Sequence, residues 1–101
     1  MKEQASLELF DGERLVFSST GKWLHPLFEV EEYLARNPVS RERLFLRDKI
    51  VGKAAALLIV RLGIPRVHAR LISEPGLETL RARDVAVSCD TIEKRIACAT
   101  E

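Results

Sequence analysis

Lys49 and Lys53 stand on either side of Gly52, where the sequence turns from charged to strongly apolar. If that boundary is a helix start, the free backbone N–H groups of the first turn and the two ammonium groups together suit a phosphate or carboxylate. The motif is not a P-loop. Arg47 holds the place of the first glycine of that motif, and Ala54 holds the place of its Ser/Thr. The competing reading is two lysines on the solvated side of a buried helix. Asp48 beside them is read as the cap of the same helix, with a second role in orienting a ligand amine or hydroxyl. Ser73, before Glu74-Pro75, carries the same pair of readings. His25, before Pro26, is either a helix-entrance histidine or a polar group that bonds a ligand near neutral pH.

The other reactive residue types give less. Cys89 and Cys98 are nine positions apart, which is neither a redox CxxC pair nor a disulfide framework. His68 lies between Val67 and Ala69 and reads as structural. Trp23 and Phe28 can be drawn as a wall for stacking a base, but aromatics beside a helix start more commonly pack as core or staple residues.

Hydrophobic periodicity supplies the elements that would position these groups. Residues 7–10 and 15–17 are β-prone runs on either side of Asp11-Gly12, a hairpin dipeptide. Pro26 opens an amphipathic helix carrying Leu27, Val30 and Leu34, which ends at Asn37-Pro38. Residues 44–46 form a third strand, and a helix runs from Asp48 to Leu62 with Gly63 past its end. Alternating Val67, Ala69 and Leu71 give a fourth strand, Ser73 caps a third helix, and 85–87 make a fifth strand. Asp90-Thr91-Ile92-Glu93 has capping-box spacing and predicts a short fourth helix. The order, β-β-α-β-α-β-α-β-α, predicts an α/β fold, a three-layer α/β/α sandwich with a mostly parallel sheet. His25, Asp48 to Lys53, Ser73 and Asp90 are then expected on one edge of the sheet, where open α/β sheets bind ligands.

The stretch from Asp48 to Leu58, followed by Ser73-Glu74-Pro75, resembles the family called domain of unknown function 1893, and the likeness extends from about Leu7 onward. The resemblance implies a cytidine deaminase-like fold with a mixed five-stranded sheet. Zinc deaminases of that fold place H-x-E or C-x-E at one helix start and P-C-x-x-C at the next. Here His25 is followed two places later by Leu27, and the segment from Asp48 to Ala55 contains no cysteine. A zinc-dependent deaminase is therefore not expected, and no metal or other cofactor is implied.

The chain has 101 residues, enough for one core and one domain, 1–101. Sixteen basic against fifteen acidic residues give a net charge of +1. That balance offers no overall surplus for nucleic acid, although it leaves room for a local basic patch. No apolar run is long enough for a membrane span and the first residues lack a signal-peptide pattern, so a cytoplasmic location is expected. The leading functional expectation is a non-catalytic binding or regulatory domain. It would take a small anionic, nucleotide-like ligand at His25, Asp48, Lys49, Gly52, Lys53 and Ser73. The alternatives are a metal-independent transferase or hydrolase using Asp48 or His25, and an interaction subunit forming a homodimer.

Overall fold

A computed structural model describes residues 4–96. Cys98, considered above, lies outside them. The elements are β1 (Leu7–Asp11), β2 (Arg14–Ser19), α1 (His25–Arg36), a 3-10 turn (Arg41–Arg43), β3 (Leu44–Val51), α2 (Lys53–Leu62), β4 (Arg66–Ser73), α3 (Glu74–Ala82) and β5 (Ala86–Glu93). At the β1–β2 turn Gly12 takes φ 65°, the left-handed backbone that glycine adopts without penalty. The sheet order is β2-β1-β3-β4-β5, with β1 antiparallel to both neighbours and β3, β4 and β5 parallel. Strands two to five therefore share one direction, with β1 reversed between β2 and β3.

This order fixes where the helices lie. Each strand-helix-strand connection steps across the sheet in the same sense, and right-handed crossovers place such helices side by side on a single face. α1 touches α2, and α2 packs along α3. Beneath them one continuous core contains Leu7, Leu9, Leu46, Val67, Ala69, Ile59 and Leu80. Each fully buried Leu or Ile contributes roughly 1.5–3 kcal/mol relative to exposure. The residues that alternate with these strand positions turn to the opposite face. There Phe10 pairs in register with Phe45, and Glu8, Arg47, His68 and Ser88 form a row across four strands. Among the described residues this second face carries no helix, so they form two layers rather than the three expected from the element order.

Two boundaries differ from the sequence expectation. β3 does not stop at Leu46 but continues to Val51, so α2 starts at Lys53 with Gly52 as its N-cap, and Asp48 caps nothing. Lys49 and Lys53 consequently do not share a helix face; the solvated side of α2 is instead Lys53, Leu57 and Arg61. Residues 90–93 belong to β5 rather than to a fourth helix. Asp90 and Thr91 continue the strand because β4 runs on to Ser73 and offers backbone partners as far as Ser73↔Glu93.

α2 and α3 enter the core through a close approach at Gly76. A Cβ there would stand 3.0 Å from the Val51 carbonyl oxygen and 3.1 Å from the Gly52 carbonyl group. Backbone cannot yield as a side-chain end would, so Gly76→Ala is expected to destabilise the fold by about 1–3 kcal/mol. Urea denaturation of the variant checks this.

Candidate functional site

The site lies beside the first residue of β1. Leu7↔Asp48 is the last β1–β3 pair, followed by one further bond from Lys49 N to Ser6 O at 3.0 Å, while β3 runs on through Ile50 and Val51. The overhang leaves a notch beside β3. The β2–α1 loop closes its helix side, leaving a cavity of about 330 Å3. Asp48, Lys49 and Ile50 line it from β3, Ser6 from the approach to β1, and Thr20 to Trp23 with Pro26 from the loop and α1.

A chain of hydrogen bonds holds that loop. The Ser6 hydroxyl lies 2.7 Å from Gly21 O and 3.1 Å from Ser19 O. The buried Ser19 hydroxyl accepts from Gly21 N at 3.0 Å and donates to Glu29 Oε1 at 2.6 Å. The next residue but one past Gly21, Trp23, takes φ 60° and is 57% exposed. A bulky residue in the left-handed region is uncommon, and such strain persists where surrounding contacts impose it. Here the imposed conformation sets an exposed indole at the cavity.

Asp48 is the electrostatic centre of the arrangement. Its position on β3 faces the helix side, between Leu7 of β1 and Ala69 of β4. Burial among these groups pushes its carboxyl up to about 7, against the opposing pull of backbone N–H groups of Lys49 and Ile50. A carboxyl at that value exchanges a proton near neutral pH. It accepts hydrogen bonds when ionised and donates one when protonated.

The remaining expected site residues are distributed differently. His25 is the first residue of α1, with a 74% exposed side chain whose Nε2 lies 3.9 Å from Glu29 Oε1. It backs the loop, since a Cβ on Gly21 would come within 3.3 Å of its ring. Gly52 and Ser73 occupy the entries of α2 and α3. The fully buried Ser73 hydroxyl accepts from Gly76 N at 3.0 Å and caps α3, as its spacing predicted. Lys53 is exposed at the start of α2. The structure thus gathers Asp48 and Lys49 into one cavity with His25 behind its wall, and leaves Gly52, Lys53 and Ser73 outside its lining. Sequence reading missed Ser6 and Thr20 to Lys22. The available signal was the one tryptophan of the chain standing directly after a small, polar, glycine-containing run.

The deaminase metal set does not fit these residues. Leu27, two residues past His25, is a core side chain, and α2 opens on Gly52, Lys53 and Ala54. Among the described residues no three His, Cys, Asp or Glu side chains converge to hold a metal ion. Cys89 is a partly buried free thiol on β5. No helix among the described residues is long and apolar enough to cross a membrane.

The family model for DUF1893, a domain of unknown function, matches residues 1–94. The chain belongs to the DUF1893 family. It is also similar to the crystal structure, at 2.70 Å resolution, of a DUF1893 family protein from Thermotoga maritima, with 29% identity and a TM-score of 0.76. The match covers 93% of this chain and 60% of that one, so the chain spans about three fifths of the length of this DUF1893 relative. No curated protein matches.

Asp48 also makes a prediction about stability. An unfolded aspartate ionises near 4, whereas the folded one holds its proton to about 7. Between these values the native state binds the extra proton, so this group's contribution falls as pH rises from 4 to 7 and is flat above. Asp48→Asn is expected to be more stable than the parent at pH 8, on the order of 1–3 kcal/mol, with the difference disappearing toward pH 4. Thermal melts of both proteins across that range check it.

Proposed function

We propose that this DUF1893 chain is a binding or regulatory domain whose cavity takes a small nucleotide-like ligand, with the ring against Trp23 and a ring N–H or amino group on Asp48. The observation that carries the reading is the near-neutral carboxyl of Asp48 in a cavity that also has an exposed indole. A planar heterocycle satisfies both groups. Its face stacks on the indole, a contact worth about 1–3 kcal/mol per base, and its polar edge supplies the partner for the carboxyl. Lys22 and Lys49 at the same cavity favour an anionic molecule.

The sheet order, with β1 alone reversed, supports reading the fold as cytidine deaminase-like. In such a fold the cavity sits at the helix-start edge beside α1, and Leu27 takes the catalytic glutamate's position. Ligand recognition without metal chemistry is consistent with those residues.

A metal-independent transferase or hydrolase is the second reading, favoured by the same carboxyl, because a general acid or base works best with a pKa near the operating pH. The two readings part at turnover. Trp23 is the only tryptophan, so its fluorescence reports on the cavity directly. Titration with adenosine, guanosine, cytidine, uridine and their 5′-monophosphates is expected to change that emission saturably for at least one base. Asp48→Asn should weaken that binding about tenfold or more. Product formation that disappears in Asp48→Asn, in a folded variant that still binds, would establish the enzyme instead. No saturable change with any of these compounds would remove the nucleotide-like reading.

A further inference from the structure

We infer that the open face of the sheet, directly across β3 from the Trp23 cavity, holds a separate oxyanion subsite for the phosphoryl group of the ligand, formed by Arg47, Lys49 and Arg70. The inference rests on the reading of the Trp23 cavity and extends it to a different set of residues.

A second depression of about 250 Å3 lies on this side of the same notch. Gln4, Ser6, Asp48 and Lys49 line both depressions, so the two adjoin at the approach to β1, where a ligand that occupies both would cross. The linings differ in chemistry. Trp23, Pro26 and Gly21 mark the first, whereas Arg47, His68 and Arg70 mark the second. A ring belongs in the former and an anion in the latter.

Cations outnumber carboxylates around this depression: Asp90 stands opposite Arg70 between the pairs Ala69↔Cys89 and Leu71↔Thr91, but it is engaged with His68. Lys49 and Arg70 occupy the same level of neighbouring strands, between the pairs Asp48↔Ala69 and Ile50↔Leu71. Like charges opposed across adjacent strands are destabilising unless an anion joins them. Among the described residues neither has a carboxylate within salt-bridge distance. Arg47 has one, Glu8, but at 4.0 Å, beyond hydrogen-bond length, and both side chains line the depression. His68 is already engaged: its Nδ1 is 2.7 Å from Ser88 Oγ and its Nε2 is 3.3 Å from Asp90 Oδ1. The imidazole therefore acts as a fixed wall, and the guanidinium groups of Arg47 and Arg70 with the ammonium group of Lys49 supply the donors. Guanidinium groups match a phosphate with paired N–H donors.

Isothermal titration of the whole chain with a nucleoside, its 5′-monophosphate and inorganic phosphate separates the outcomes. The nucleoside is the one that binds best in the fluorescence titration. The monophosphate is expected to bind about tenfold or more tightly than the nucleoside, as a charge-assisted contact implies. Arg70→Ala should erase that advantage while leaving nucleoside affinity within about twofold, Arg70→Lys should restore part of it, and Glu8→Gln should increase it. Arg70 is exposed, and an unchanged melting temperature confirms that its variants fold. Equal affinity for nucleoside and monophosphate overturns the phosphoryl subsite and leaves the ring cavity standing. Binding of neither overturns the ring cavity on which the subsite depends. Affinity that appears only with single-stranded oligonucleotides and grows with their length overturns the subsite in favour of a strand-binding sheet face.

Discussion

Leu7, the first residue of β1, pairs with Asp48, and β3 continues beyond that pair to Val51. Most of what is distinctive about this DUF1893 chain follows from that mismatch in strand length. A β1 two residues longer would fill the notch with backbone. With the shorter strand, the cavity beside Ile50 is lined by the β2–α1 loop with Gln4 and Ser6, and that loop is held in place by Ser6, Ser19 and Glu29 rather than by a sheet ladder. The same shortfall joins the two faces of the sheet at one place, beside Lys49.

The cost is concentrated in Arg47-Asp48-Lys49, three charged residues within a strand whose neighbours on both sides are apolar. Alternation sends Arg47 and Lys49 to the open face and Asp48 to the helix side, where it meets Leu7 and Ala69. A carboxyl placed there loses hydration without gaining a cationic partner on the flanking strands, and it responds by keeping its proton. Two cations on the opposite side face each other across β3 and β4. Groups at odds with the local packing rules gather in this one stretch, while the cores beneath α2 and α3 follow those rules closely. Such a concentration is the pattern expected where function rather than folding selects the residues.

The fold was legible where local chemistry and tertiary context agreed. Asp11-Gly12 marked the hairpin, Pro26 the start of α1, Gly63 the end of α2 and Ser73 the cap of α3, because each acts through its own backbone geometry. It was misread where neighbouring strands decided. Arg47 to Lys49 break the apolar pattern of a strand and look like a helix entrance, yet β4 supplies pairs on through Val51↔Ile72. Asp90 to Glu93 have capping spacing, but β5 is the edge strand, its outer positions are exposed, and hydrophobic alternation there carries little information. For the site, Asp48 and Lys49 stood out by charge. Their environment did not, since desolvation of Asp48 depends on Leu7 and Ala69, far away in sequence. Trp23 was visible as an aromatic but not as an exposed one, because exposure follows from a loop conformation that no local motif announces.

The site turns on one carboxyl, and its titration can be followed directly. In protein labelled with 13C at aspartate side-chain carboxyls, with Asp48→Asn used to assign the signal, Asp48 should titrate with a midpoint near 7. Occupation of the Trp23 cavity by a nucleoside monophosphate should displace that midpoint. A midpoint near 4, the ordinary value for a solvated aspartate, unmoved by any ligand, would contradict the claim that this group is a buried and poised centre of the site.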